Sequence, residues 1–161
     1  ATAGALVGPP WSEREAGFII SEDTTTTTST TTTTAGGGMR LYYEPHCSYD
    51  VDSLTAAVST VGGDVDVVIT PVRSVDVLGF PLVNGGEAAA DLLGVLGGPR
   101  VVLPLRNGEL EQEGVSTAML GSDGVTADSF AEMLSGRFPD TSVVMPEPGV
   151  TLEVEVEDTP R

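Results

Sequence analysis

The chain has 161 residues and a formal net charge of −17, from 24 acidic side chains against seven arginines, and it contains no lysine. Affinity for nucleic acid depends on Lys and Arg side chains that neutralise phosphates, so the sequence predicts no nucleic-acid partner. No run of 18 apolar residues is present and no basic segment precedes an apolar one, so neither a membrane span nor a signal peptide is predicted. A single Cys excludes an internal disulfide and any metal site built on several thiolates.

The acidity has three interpretations that the sequence leaves open. The first is a solvated acidic surface. The second is an adaptation to high salt, because charges are screened within about 3 Å at 1 M. The third is a nucleotide bias in the gene. The length falls within the range of one domain and allows a real core.

The first part of the chain contains one short apolar segment and a low-complexity tract. Residues 1–21 form an N-terminal strand region, in which Phe18, Ile19 and Ile20 predict a buried strand. Residues 22–38 are rich in Thr and Gly and cannot bury an apolar face, so we expect a disordered insertion that joins two strands of an enlarged hairpin.

Residues 39–50, MRLYYEPHCSYD, combine a predicted strand with a polar cluster. The β-formers up to Tyr43 predict the strand, and Pro45 ends it because proline lacks a backbone donor. The cluster that follows contains the only His and the only Cys of the chain, His46 and Cys47, beside Glu44. Side chains at the end of a strand face a cleft, so this cluster is the first candidate site.

Alternating helices and strands follow the cluster. Asp50 or Asp52 can cap a helix that Gly62 and Gly63 end, and the run DVDVVITP predicts a strand buried on both faces. A loop over residues 72–86, a second helix, a strand over residues 101–105 and a charged segment come next. A third helix capped by Thr126 and strands over residues 143–145 and 150–156 complete the chain. Strands and helices at this spacing predict an α/β layered fold.

Several words of the sequence resemble a known family. These words are YYEPHCSYD, DVDVVITP, GGEAAADLL, RVVLPLRNGE and VVMPEPGVTLEV. Together they are similar to the C-terminal half of metallo-β-lactamase-fold proteins. The resemblance is greatest to the plant and cyanobacterial branch related to the ascorbate-phosphate lactonases, in which GPPW and a GFII-like strand also precede the YYEPH word.

The resemblance implies a four-layer αββα sandwich of two similar halves, with zinc at its edge activating water for hydrolysis. Residues 39–161 would then be the C-terminal ββα half, and the HxHxDH signature that supplies most ligands would belong to an N-terminal half that this sequence does not contain. Two further positions depart from the family. His46 stands where a bridging Asp is usual, and Arg106, which cannot bind a cation, stands where a His is usual.

The candidate metal ligand is therefore His46, and zinc would need further ligands that are not on this chain, because catalytic zinc takes about three protein ligands. Glu44, Cys47 and Asp50 could complete a local site only if they converged on His46. The alternative is a hydrogen-bonded cleft histidine. Cys47 as a nucleophile has no second His to act as its base.

Two further pairs of residues could bind anions. Arg106 and Asn107 are candidates for a substrate carboxylate or phosphate, against a surface salt bridge for Arg106. Gly85 and Gly86, before the second helix, could seat an anion, against a plain tight turn.

Two functions stay open at this point. The first is a hydrolase-like protein that acts on a small-molecule substrate once a partner chain or an N-terminal half completes the metal site; the chain alone would be inactive. The second is a non-catalytic binding or assembly module derived from the same fold. The resemblance to plant and cyanobacterial proteins implies a chloroplast location, with the cytoplasm as the alternative.

Overall fold

The computed structural model describes residues 2–3, 15–21, 25–28, 31–34, 38–106 and 119–154. Over these ranges it is an α/β structure with three helices and mixed sheets. In chain order the elements are β1 (Thr2–Ala3), β2 (Glu15–Ala16), β3 (Phe18–Ser21), β4 (Thr25–Thr28), β5 (Thr31–Thr34), β6 (Arg40–Tyr43), α1 (Val51–Thr60), β7 (Val67–Pro71), β8 (Val75–Val77), β9 (Phe80–Val83), α2 (Gly86–Val95), β10 (Val101–Leu105), β11 (Leu120–Ser122), α3 (Ala127–Ser135) and β12 (Ser142–Val143).

The main sheet has five strands in the order β12-β10-β7-β6-β3. The strands β6, β7, β10 and β12 are parallel to one another, and β3 pairs with β6 antiparallel. A helix follows each of β6, β7 and β10 before the chain returns to the sheet. Crossovers between parallel strands are right-handed, so a sheet that grows in one direction receives all its helices on one face.

The core lies between that face and the helices. Tyr42, Val68 and Val102 are register partners on three neighbouring strands and are almost completely buried. They pack in one cluster with Leu54 of α1 and with residues of the other helices. The apolar spacing that predicts the helices therefore marks the side chains that cover this face of the sheet.

The second face of the sheet is covered less completely. Tyr43, Ile69 and Leu103 are also register partners, and they are only half-buried. On β3 the side chains of Phe18 and Ile20 are 57% and 61% exposed. The prediction of a strand at these residues is confirmed, but the strand is not buried on both faces.

The helix starts follow the predicted capping chemistry. At α1 the Asp50 carboxylate accepts a hydrogen bond of 2.9 Å from the Ser53 N–H. At α3 the Thr126 hydroxyl accepts from the Ser129 N–H, and the Ser129 hydroxyl accepts from the Thr126 N–H, which makes a reciprocal capping box. Both caps are confirmed by the structure.

Three predictions about strands differ from the structure. The segment interpreted as a loop contains the β8–β9 hairpin, which β11 joins to form a small antiparallel sheet. The prediction of a strand over residues 150–156 is wrong for residues 150–154, which form no strand. Residues 155–156 lie outside the described residues. The strand expected over residues 143–145 is limited to Ser142–Val143.

The threonine tract also differs from its prediction where the structure describes it. Thr25–Thr28 and Thr31–Thr34 pair antiparallel, whereas the sequence predicts disorder. The other residues of the predicted insertion, apart from Gly38, lie outside the described residues. Within the described ranges, no helix has both the length and the apolar character needed to span a bilayer.

Candidate functional site

The candidate site lies at the edge of the main sheet where β6, β7 and β10 end. These strands are parallel, so the segments that follow them emerge at the same edge. The segment after β6 is the polar loop of residues 44–50, and Arg106 follows β10. The start of α2 reaches the same place, because Asn84 contacts the polar loop.

Glu44 anchors the polar loop. Its own N–H donates to the Ile69 carbonyl at 3.0 Å, which extends the pairing of β6 with β7. Its buried carboxylate accepts two hydrogen bonds of 3.0 Å, from the N–H groups of His46 and Ser48. Burial raises the pKa of Glu44, and these backbone donors partly oppose that rise. The side chain therefore holds the turn of the loop together from inside.

Asn84 holds the loop from the other side. Its N–H donates to the His46 carbonyl at 2.9 Å, and its Nδ2 donates to the Cys47 carbonyl at 3.3 Å. No residue pattern predicts this role for Asn84. The only signal is its position immediately before the two glycines that start α2.

Cys47 is a buried thiol in a left-handed backbone conformation, with φ at +51°. A non-glycine residue rarely adopts this region, and such residues persist only where their surroundings hold them. Burial raises the pKa of the Cys47 thiol to about 12, with the neighbouring Glu44 adding to the effect. The thiol is thus protonated at neutral pH.

His46 lies in the middle of the loop and is half-buried. Its N–H and its carbonyl both hold the loop in place, through Glu44 and Asn84. The backbone of His46 is therefore fixed at the edge of the sheet. A fixed backbone is what a residue that positions a ligand or a substrate requires.

The start of α2 does not offer a free anion cradle. The Gly85 N–H donates to the Ser74 hydroxyl at 3.0 Å, and the Gly86 N–H donates to the Val72 carbonyl at 2.8 Å. A Cβ at Gly85 would come within 2.5 Å of the Arg73 carbonyl carbon. These contacts favour the simpler interpretation of a tight turn packed against the chain after β7.

Arg106 is exposed directly after β10, beside a shallow pocket that Arg73 also lines. Because β7 separates β6 from β10, the ends of these two strands are about 10 Å apart. Arg106 and His46 therefore stand on the same edge of the sheet without being neighbours. Asn107 lies outside the described residues, so its predicted role stays a prediction.

The described residues do not by themselves form a metal site. In the part of the chain that the structure covers, no three His, Cys, Asp or Glu side chains gather as a metal-binding group. Both oxygens of Glu44 already accept backbone hydrogen bonds, and Cys47 is held as a neutral thiol. A local zinc site at the polar loop would have to break this arrangement.

A comparison with known protein families identifies the family of this chain. The family model described as the beta-lactamase superfamily domain matches residues 6–106, which is more than half of the chain. The chain belongs to this family. The match includes β6, β7 and β10 with the polar loop and ends at Arg106. No curated protein and no solved structure matches the chain.

Membership in the beta-lactamase superfamily agrees with the α/β structure, whose mixed sheets and three helices over the described ranges are consistent with part of a metallo-β-lactamase fold. Members of the superfamily often bind zinc. The described residues of this member do not assemble a ligand set.

Proposed function

We propose that this chain is part of a hydrolase-like protein of the metallo-β-lactamase fold, in the plant and cyanobacterial branch that its sequence resembles. In this proposal the active site lies at this edge of the main sheet, and the polar loop and Arg106 line one side of it. His46 is the single metal ligand on the described chain, and the other ligands come from outside the described residues.

The observation that supports this proposal is the fixed position of His46. Glu44 and Asn84 hold the loop on both sides of it, at the edge where three parallel strands of the matched domain end. Ligands in open α/β sheets bind at this edge. A small-molecule substrate with a carboxylate or phosphate would be bound by Arg106, with Asn107 beside it in the sequence.

Metal analysis of the full-length gene product tests the proposal. We expect about one bound zinc or more per molecule in the wild type, and a lower content in His46→Gln, because loss of one ligand weakens metal affinity severely. Ser48→Ala is the matched control, since Ser48 contributes its backbone N–H to the loop. A wild type with almost no metal, or a His46→Gln variant with unchanged metal, would contradict the proposal.

The second candidate is a non-catalytic assembly module, and the exposed apolar residues of β3 favour it. Phe18 and Ile20 present bulky side chains to solvent on the second face of the main sheet. Large exposed apolar surfaces mark contact sites. In this alternative, a second copy of the chain covers that face.

Light scattering after size-exclusion chromatography separates the two candidates. The assembly function predicts a dimer that Ile20→Glu dissociates, while Ser21→Glu, a change at the exposed neighbouring position, leaves the mass unchanged. A metal-containing wild type that is a monomer at all concentrations would support the hydrolase-like function alone.

A further inference from the structure

The junction of β9 and α2 is the dipeptide Asn84-Gly85, which is chemically labile in an unfolded chain. In an Asn-Gly pair the glycine nitrogen can attack the side-chain carbonyl carbon of the asparagine, because glycine has no side chain that hinders the approach. The nitrogen loses its proton, ammonia leaves and a cyclic imide forms. Water then opens the imide to aspartate or isoaspartate. The net reaction converts an amide and water into a carboxylate and ammonium, and it makes asparagine a thermolabile residue.

The fold requires both residues of this dipeptide. A Cβ at Gly85 would come within 2.5 Å of the Arg73 carbonyl carbon, so the packing disfavours any larger residue there. Asn84 holds the polar loop through the hydrogen bond from its Nδ2 to the Cys47 carbonyl. A bulkier residue after Asn84 would slow imide formation, but it does not fit. The same contacts that build the candidate site therefore place the labile pair beside it.

The folded state blocks the reaction at both reacting groups. The attacking group is the N–H of the buried Gly85, which donates to the Ser74 hydroxyl at 3.0 Å. The group under attack is the Asn84 amide, which is held by its bond of 3.3 Å to the Cys47 carbonyl. Both contacts must be released before the nitrogen can reach the amide carbon. The reaction therefore proceeds only while the junction is locally open.

The product cannot restore the loop. Aspartate at position 84 places a carboxylate, which only accepts hydrogen bonds, against the Cys47 carbonyl oxygen. The new negative charge also lies beside a loop that contains the buried Glu44 side chain. Isoaspartate in addition adds a methylene to the backbone between β9 and α2. An opening that is reversible in the native chain therefore becomes permanent once the amide is lost.

We propose that Asn84-Gly85 is a deamidation site that converts local opening of this junction into permanent release of the polar loop. The junction is thus a one-way switch, and water is the only co-reactant that it needs. No metal ion takes part, so the outcome of its test is separate from the outcome of metal analysis at His46.

Peptide mapping by mass spectrometry after incubation at mildly alkaline pH measures the reaction. Trypsin cleaves after Arg73 and Arg100 and isolates Asn84 in one peptide, whereas Asn107, which glycine also follows, lies in another. We expect Asn84 to deamidate in guanidinium, and to deamidate at least about tenfold more slowly in the folded protein. An equal rate at Asn84 in both conditions, or no reaction at Asn84 in guanidinium, would overturn the proposal.

A pair of serine variants tests the protecting contact. Ser74→Ala removes the acceptor of the Gly85 N–H and should accelerate deamidation of Asn84 in the folded protein by about threefold or more. Ser59→Ala, on α1, removes a hydroxyl that donates to the Thr55 carbonyl and should leave the rate unchanged. Circular dichroism checks that both variants fold. Equal rates in the two variants would contradict protection by Ser74, and the comparison with guanidinium remains decisive if Ser74→Ala does not fold.

Release of the loop is measured at Cys47. Asn84→Asp reproduces the deamidated side chain, and in this variant Cys47 should react with Ellman's reagent at least about fivefold faster than in the wild type. Thr55→Asp adds the same charge at an exposed position of α1 and should leave the rate unchanged. A Cys47 that reacts no faster in Asn84→Asp than in Thr55→Asp would show that the amide does not hold the loop, and would overturn the proposed switch.

Discussion

At the scale of single residues, Glu44 determines the shape of the polar loop. Removing its carboxylate in Glu44→Ala leaves the partly buried N–H groups of His46 and Ser48 without their acceptors. We expect a loss of about 2 to 4 kcal/mol in the free energy of unfolding, and a smaller loss of about 1 kcal/mol in Glu44→Gln, which keeps one acceptor. Urea unfolding of the three proteins measures both values, and equal stability of the Ala and Gln variants would refute the anchoring role.

The raised pKa of Glu44 also predicts that the stability of the protein depends on pH. Burial raises its pKa in the folded state, so the folded protein binds this proton more tightly than the unfolded chain does. The resulting stability is fully present below the unfolded pKa and is lost as the pH rises through the folded pKa. As the pH rises above the ordinary glutamate pKa, stability of the wild type should therefore fall relative to Glu44→Gln. Parallel curves for the two proteins in urea unfolding would show that Glu44 is not responsible.

Cys47 gives a prediction about reactivity. A buried thiol with a pKa near 12 offers almost no thiolate at neutral pH. We expect Ellman's reagent to react with the folded protein at a rate far below that of a free thiol, and to react completely in guanidinium. A fast reaction of the folded protein at neutral pH would mean that the loop opens and would reinstate Cys47 as a candidate nucleophile.

At the scale of elements, two glycines at helix ends make a matched pair. Gly85, before α2, packs against the backbone of Arg73, whereas a Cβ added at Gly136, after α3, would meet no atom within 4 Å. Neither position has a positive φ. We therefore expect Gly85→Ala to cost about 1 to 3 kcal/mol by steric overlap and Gly136→Ala to change stability by less than about 0.5 kcal/mol. Thermal melts of both variants compare them, and similar effects would contradict the close packing at Gly85.

Part of the secondary structure could be predicted from the sequence. Helix caps at Asp50 and Thr126 and the strands β6, β7 and β10 follow from local chemistry, so residue patterns locate them. Residue patterns do not predict the β8–β9 hairpin, because its strands are short and lack a clear period. The alternation after Val150 suggests a strand, but a strand forms only with a partner to pair with, and alternation cannot supply one.

Only part of the candidate site could be predicted from the sequence. The chemistry of the His46 and Cys47 side chains makes them site candidates from the sequence, whereas Glu44 and Asn84 act through contacts that only the fold creates. A buried carboxylate that binds backbone N–H groups cannot be told from a solvated one by its place in the sequence.

At the scale of the whole molecule, the net charge of −17 predicts a response to salt. Self-repulsion destabilises the compact state, and salt screens it. We expect the melting temperature to rise by several degrees between about 0.05 and 1 M NaCl, and the rise to shrink near pH 4, where carboxylates begin to be protonated. Differential scanning fluorimetry measures both series. A rise of the same size at both pH values would point to a cause other than charge screening.

The order of strands in the main sheet matches their order along the chain, from β3 through β6, β7 and β10 to β12. Each strand of this sheet after β3 therefore meets a neighbour that has already been synthesised. The sheet can assemble vectorially during synthesis, with no early strand waiting for a distant partner, and its growing edge is covered by the next strand within a few tens of residues.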